Sequence, residues 1–264
     1  MCIRDSFKGK VALITGGGRG IGKAAAMKFA EGGADIVIAD IDPQTGKDTS
    51  EELAALGVTA ISISLDIGDI SQIESMVEKS VSELGSIDIL FNNAGLTRHI
   101  SFFDIEEDHW DQINRVNAKG AFFCMQKIAN QMVKQGNGGR IINTASIAGK
   151  GYRRASNAAY AASKGAVIAM THSAAAVMAE HDVNVNAICP GIVQTDMLAN
   201  ILSLRSTEVG ASSDEVKAMM TEEIPLGRPN DAEDVAALAV FLAGPGSRNI
   251  TGQAFNIDGG MIMH

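Results

Sequence analysis

The chain has 264 residues, 46% hydrophobic and 20% charged, enough to bury a sizeable core. Its formal net charge of −9 and lack of a basic stripe argue against nucleic-acid binding, and no apolar run approaches the ~18 residues of a membrane span. The N-terminus has no apolar signal core, and Cys2, Cys124 and Cys189 are too scattered for a disulfide framework or metal cluster, so a reduced cytoplasmic protein without metal, membrane or nucleic-acid partners is expected.

Residues 1–7 do not flow into the first strand pattern and are expected to be a frayed or non-native terminus, with one domain over 8–264. "VALIT" (11–15) reads as a buried strand, and "GIGKAAAMKFAEGG" as a helix stopped by glycines at 32–33. "DIVIAD" (35–40) is the second strand, and a helix opens at Pro43 and ends at Gly57. A third strand over 59–66, an amphipathic helix over 70–85 and a strand running into a turn over 87–95 follow. A long helical region covers roughly 104–135, then a strand over 139–146, a helix over 158–181 and a strand over 183–191. A polar stretch around 195–230 leads to the Asp-capped helix "DAEDVAALAVFLAG" and a last strand, "GQAFNID".

Near-continuous apolar strands alternating with helices predict a doubly wound α/β fold of the Rossmann type. About seven parallel strands would be covered by helices on both faces. Ligands of such sheets bind at the carboxyl ends of the strands.

The chemistry-bearing residues cluster just after strands. "TGGGRGIG" (15–22) places Gly16, Gly20 and Gly22 between the first strand and the first helix. Glycines there let backbone approach a pyrophosphate at a helix N-terminus. Asp40 ends the second strand, 18 residues after Gly22. A carboxylate at that place accepts from a ribose 2′-OH and repels a 2′-phosphate. Arg19 could pair with a 2′-phosphate, but the acid holds the ribose-reading position, so NAD is expected over NADP. Asp66 falls at the adenine edge, and "NNAG" (92–95) gives a small flat turn beside the cofactor. Tyr160 and Lys164 in "YAASK" are one helical turn apart on one face.

The chain resembles the short-chain dehydrogenase/reductases over residues 8–262. The resemblance rests on "TGGGRGIG", "NNAG", Asn117 in "RVNAKG", Ser146 in "NTAS", "YAASK", "PG" (190–191) with Thr195, and "DGG" (258–260). It implies metal-free, NAD(P)-dependent oxidation or reduction at an alcohol or carbonyl carbon, with Asn117, Ser146, Tyr160 and Lys164 as the catalytic set. It implies a cofactor site at Thr15, Gly16, Arg19, Gly20, Ile21 and Gly22, then Asp40 and Ile41, Asp66 and Ile67. Asn93, Ala94 and Gly95, Tyr160 and Lys164, and Pro190, Gly191, Val193 and Thr195 complete that site.

A free tyrosine has a pKa near 10 and is a weak base at neutral pH. The Lys164 ammonium and a positive nicotinamide ring are expected to lower it. Ser146 would hydrogen-bond the substrate oxygen. Asn117 would hold a water behind Lys164, and Thr195 with the backbone near Val193 would orient the carboxamide. The substrate set is Ser146 and Tyr160 together with Arg98, His99, Arg153 and Arg154, the cations joined by Lys150 in an otherwise acidic chain. They could draw in an anionic substrate such as a sugar acid or form a solvated loop face. The Ser146–Tyr160 spacing is 14 residues, about one longer than in many members.

Within the family, "CPGIVQTDM" and "IPLGRPNDAEDVAALAVFLA" look most like acetoin/butanediol, polyol and sugar dehydrogenases. An NADPH-dependent 3-oxoacyl-carrier-protein reductase is second, and a non-catalytic dinucleotide-binding regulator is the rival from another class. Phe122, Phe123, Met125 and Met132 make one helix apolar, and the 158–181 helix is apolar on most sides, which predicts burial against another subunit. A homo-oligomer, tetramer or dimer, is expected.

Overall fold

The computed structural model describes residues 6–152 and 157–263. Seven parallel strands form one sheet in the order β3-β2-β1-β4-β5-β6-β7. They are β1 Val11–Thr15, β2 Asp35–Asp40, β3 Ala60–Ser64, β4 Ile89–Asn92, β5 Gly139–Thr144, β6 Val183–Pro190 and β7 Ala254–Ile257. The helices are α1 Gly20–Glu31, α2 Pro43–Ala54, α3 Ile70–Leu84, α4 Glu107–Asn114, α5 Ala121–Gln135, α6 Ala158–Met178, α7 Asp196–Val209, α8 Ser213–Glu222 and α9 Ala232–Ala243.

The two faces follow from the period of two along each strand. Ala12, Ile14, Ile36 and Ile38 join α1 and α9 through Phe29, Val235, Ala236 and Ala239. Val11, Leu13, Val37 and Ala39 join α3 and α5 through Ile73, Met76, Cys124 and Ile128. Both faces are covered, as the unbroken apolar strand sequences require. Strand order reverses between β1 and β4, which opens a crevice at their carboxyl ends.

Four expectations need correction. Phe7, placed with the terminus, is 3% exposed and stacks edge-on against Phe29 at 5.4 Å; the folded region starts before residue 8. The 104–135 region is three pieces: α4, a π-turn over Arg115–Gly120, and α5. The polar stretch at 195–230 contains α7 and α8; Ser212 and Glu215 form a capping box for α8. The apolar residues of α5 also divide: Met125 and Met132 are buried on the sheet, while Phe122 remains 37% exposed.

Replacing Phe7 by Ala should cost about 3 kcal/mol, seen as a lower urea midpoint with an unchanged denaturant slope. A midpoint equal to wild type would return Phe7 to the frayed terminus.

Candidate functional site

At the carboxyl ends of the central strands a row of polar side chains runs through the protein. Register places Thr15 opposite Asn92, and Asn92 opposite Asn143. Thr15 Oγ1 donates to Asn92 Oδ1 at 3.4 Å and accepts from the backbone N–H of Asn93 and Ala94 at 2.9 and 3.0 Å. Asn92 Nδ2 donates to Asn143 Oδ1 at 3.0 Å, and Asn143 Nδ2 donates to Thr171 Oγ1 of α6 at 3.0 Å. The row is buried, so each of these groups needs its partner. Thr15, expected at the cofactor, has its side chain fixing the "NNAG" turn.

The glycine loop crosses the mouth of β1. Gly16 and Gly20 have positive φ, +62° and +53°. A Cβ on Gly22 would lie 2.0 Å from Gly16 O, so only glycine lets α1 start this close to the turn. Gly18 is clamped at both ends: its N–H donates to Asp40 Oδ2 at 2.8 Å, and its carbonyl accepts from Thr49 Oγ1 at 3.0 Å. Asp40 therefore sits against the loop at the end of β2, 8% exposed. Arg19 is exposed, Ile21 half-buried and Ile41 67% exposed. Asn93 Nδ2 reaches Thr15 O and Gly16 O at 3.2 and 3.3 Å.

Across the crevice stands the segment after β6. Pro190 ends that strand, and Gly191 N–H donates to Ile257 O at 2.9 Å. Val193 pairs with Asn230 in an isolated bridge. A Cβ on Gly20 would fall 3.5 Å from Thr195 Cγ2, so Thr195 faces the glycine loop. The backbone cradle on one side and this segment on the other fit a dinucleotide: the loop has no Cβ to block a pyrophosphate at the start of α1.

Asp66 and Ile67 follow the end of β3. The Asp66 carboxylate accepts from Gly68 N–H and from Arg115 Nη1, both at 2.8 Å. Ile67 is 7% exposed and belongs to the core under α3 and α5. Its carbonyl would lie 2.6 Å from a Cβ on Gly120, which explains a glycine at the end of the π-turn.

The four candidate catalytic residues converge. Asn117, fully buried in the π-turn, holds Leu96 at both its N–H and its carbonyl, each at 2.8 Å. It also donates to Ser163 Oγ at 3.2 Å, and Ser163 donates to Tyr160 O at 2.7 Å. One Asn thus ties the "NNAG" turn to the helix carrying Tyr160. Lys164, 4% exposed, donates from Nζ to Thr144 O at 2.7 Å. That ammonium lies 5.9 Å from the Tyr160 ring centre. A Cβ on Gly95 would meet Lys164 Nζ at 3.4 Å and Asn117 Oδ1 at 3.3 Å. Ser146, 8% exposed, hydrogen-bonds the Tyr160 side chain and accepts from Ala148 N–H at 3.1 Å.

Burial governs the titration here. It raises the Tyr160 phenol above its ordinary value, and the Ser146 hydrogen bond only partly offsets this. The lowering expected from Lys164 is not seen; desolvation sets the direction, and Cys189 adds to it. Burial also brings Lys164 down to about 8. Cys189, fully buried beside this group, is pushed up to about 11 and stays a thiol.

Sequence reading passed over two residues: Arg115, which holds the Asp66 carboxylate, and Asn157, at the start of the helix that carries Tyr160. Asn157 caps α6 by accepting from Tyr160 N–H at 2.8 Å and donates to Arg98 O at 2.6 Å. An Asn before an Ala-rich helix is a cap signal, so this one was available. Arg115 had no such local signal.

Among the substrate residues, Arg98 is exposed and His99 half-buried, just beyond the "NNAG" turn. Lys150 does not join them: its ammonium donates to Ala254 O of β7 at 2.8 Å. Arg153 and Arg154 lie outside the described residues. Among the described residues no group of three or more His, Cys, Asp or Glu is placed to hold a metal, and no helix is long and apolar enough to cross a membrane.

With this geometry in place, the comparisons decide the family. The family described as Enoyl-(Acyl carrier protein) reductase matches residues 16–262. The chain belongs to the short-chain dehydrogenase/reductase family. It is an oxidoreductase of the NAD(P)-dependent kind that acts on alcohols and ketones. It is 39% identical to a galactitol 2-dehydrogenase of Agrobacterium fabrum (strain C58) over 254 residues, covering 96% of this chain and 98% of that one. It is 40% identical to a 2-dehydro-3-deoxy-D-gluconate 5-dehydrogenase of Dickeya dadantii over 259 residues, 97% of each. A solved NAD+-bound xylitol dehydrogenase superposes with a TM-score of 0.91 at 34% identity, covering 96% of this chain and 99% of that one.

The buried Lys164 has a stability consequence. Its folded-state value, about 8, lies below its ordinary 10.5, so between these values the unfolded chain binds more protons and stability rises with pH. Relative to Lys164→Met, wild type should gain up to about 3 kcal/mol as pH rises from 8 to 10.5. Urea unfolding at both ends of that window checks it, and a pH-independent difference would contradict it.

Proposed function

We propose that this short-chain dehydrogenase/reductase uses NAD to interconvert a secondary alcohol and a ketone on a polyol, sugar or sugar-acid substrate. The observation that carries the reading is the convergence of Ser146, Tyr160, Lys164 and Asn117 beside a glycine cradle that Asp40 and Thr49 clamp.

When bound, nicotinamide supplies the hydride acceptor or donor. Tyr160 takes the hydroxyl proton during oxidation and returns it during reduction. Burial favours its phenol form, which suits it to donate that proton to a ketone oxygen. Ser146 shares a hydrogen bond with Tyr160 and offers its hydroxyl to the substrate oxygen. Lys164, anchored on Thr144 O, places a positive charge beside Tyr160 and would hold the cofactor ribose. Asn117 fixes the turn that walls the nicotinamide side; its amide is engaged with Leu96 and Ser163, so it acts through backbone position.

Asp40 supports NAD over NADP. Its carboxylate is held at the end of β2 against the loop, where a 2′-phosphate would meet a negative charge. The solved relative at TM-score 0.91 is named as NAD+-bound, and the names of the relatives, galactitol, xylitol and a deoxy-gluconate, support the substrate class. Phe122 on α5 and Val177 on α6, 37% and 62% exposed, support a homo-oligomer formed through these helices. The buried reduced thiols of Cys124 and Cys189 support a cytoplasmic protein.

The test is absorbance at 340 nm with NAD and NADP against polyols, sugar acids, acetoin and β-ketoacyl thioesters. Turnover of a polyol or sugar acid with NAD at least tenfold more efficient than NADP is expected. Turnover confined to thioesters with NADPH would replace this reading with the carrier-protein reductase.

A further inference from the structure

Beyond Thr195 the chain builds α7 and α8 at the carboxyl-end crevice. Leu198, Leu202 and Val216 form a cluster of their own that shares no buried residue with the clusters covering the sheet. A helix pair with a small separate core opens more easily than the sheet it leans on. What holds it to the catalytic side is therefore informative.

One bond does so directly. Tyr152 OH donates to Glu223 Oε2 at 2.5 Å, across 71 residues of chain. Tyr152 lies in the segment between Ser146 and Tyr160, and Glu223 is the C-cap just after α8. Both ends have firm seats. The Tyr152 ring packs against the cluster of Ala145, Ile147, Ala187 and Cys189, directly behind Ser146, and its N–H donates to Ile147 O at 3.3 Å. Ile224, next to Glu223, is 3% exposed and abuts Gly259 in the "DGG" turn. A phenol donating to a carboxylate is a charge-assisted bond of short length. A second bond from this helix pair to the crevice rim, Lys217 Nζ to Gln194 Oε1 at 2.9 Å, is exposed.

We propose that the Tyr152–Glu223 hydrogen bond is a latch that sets the α7–α8 pair against the catalytic loop, which makes Tyr152 and Glu223 positioning residues for the substrate. Only its kinetic consequence rests on the dehydrogenase reading; the latch itself is a property of the fold. Tyr152 thereby fastens the end of α8 to the loop that follows Ser146.

The test uses Tyr152→Phe, which keeps the ring and its packing, together with Glu223→Ala and the conservative Glu223→Gln. Amide hydrogen exchange across 196–222 should accelerate at least fivefold in Tyr152→Phe and Glu223→Ala and less in Glu223→Gln, with β5 and α6 unchanged. The effects of Tyr152→Phe and Glu223→Gln should be less than additive in the double variant, because the two share this bond. For the substrate found at 340 nm, KM should rise five- to tenfold with kcat within twofold and NADH affinity unaltered. Unchanged exchange in 196–222 overturns the latch. Equal acceleration in β5 and α6 also overturns it, by making Tyr152 a packing residue. Faster exchange without a change in KM overturns the positioning role. A wild-type chain that turns over none of the compounds defeats the dehydrogenase reading while the exchange result still decides the latch.

Discussion

The arrangement depends on a buried hydrogen-bonded row: Thr15, Asn92, Asn143 and Thr171. It runs across β1, β4 and β5 and ends on α6, whose first turns carry Tyr160 and Lys164. Each member is buried where an unpaired polar group costs ~1–3 kcal/mol, so the strands cannot slip relative to one another without breaking several bonds. Thr15 also receives two N–H groups from the "NNAG" turn. The same hydroxyl that closes the row therefore fixes the turn beside the cofactor crevice. Asn117 repeats the device one layer out, gripping Leu96 on one side and, through Ser163, Tyr160 on the other.

Most of the strands and their parallel order were legible, because apolar runs of five or six residues alternate with helical patterns and glycine stops. The placement of the motif residues was legible too: the glycines and Asp40 lie at strand ends, and Tyr160 and Lys164 share one face of α6. What the sequence did not reveal depends on distant contacts. The π-turn at Arg115–Gly120 follows no local propensity; Gly120's approach to Ile67 O sets it, 53 residues away along the chain. Helices α7 and α8 were hidden by their polar faces, since among the described residues only three buried apolar ones, Leu198, Leu202 and Val216, mark their seam. Phe7 sits in the core because Phe29 is opposite it, and a window ending at residue 7 contains no trace of that partner. Lys150 looked like part of a cationic mouth by proximity in sequence, yet the backbone turns it toward β7.

Electrostatics make the candidate site one of competing terms. Burial pushes Tyr160 toward phenol and Lys164 toward free amine, so the protein's interior opposes both charged forms. Geometry answers that opposition: Lys164 is anchored on Thr144 O, and Ser146 shares the tyrosine's hydrogen bond. The protonation of such a tyrosine is controlled by what is brought next to it, which suits the acid–base role proposed for Tyr160.

The most direct measurement is turnover by Tyr160→Phe with the best substrate of wild type, alongside NADH binding followed by fluorescence. The account predicts a loss of kcat of at least a thousandfold with NADH affinity within twofold of wild type. A variant that keeps wild-type turnover would contradict the assignment of Tyr160 as the proton-transfer residue.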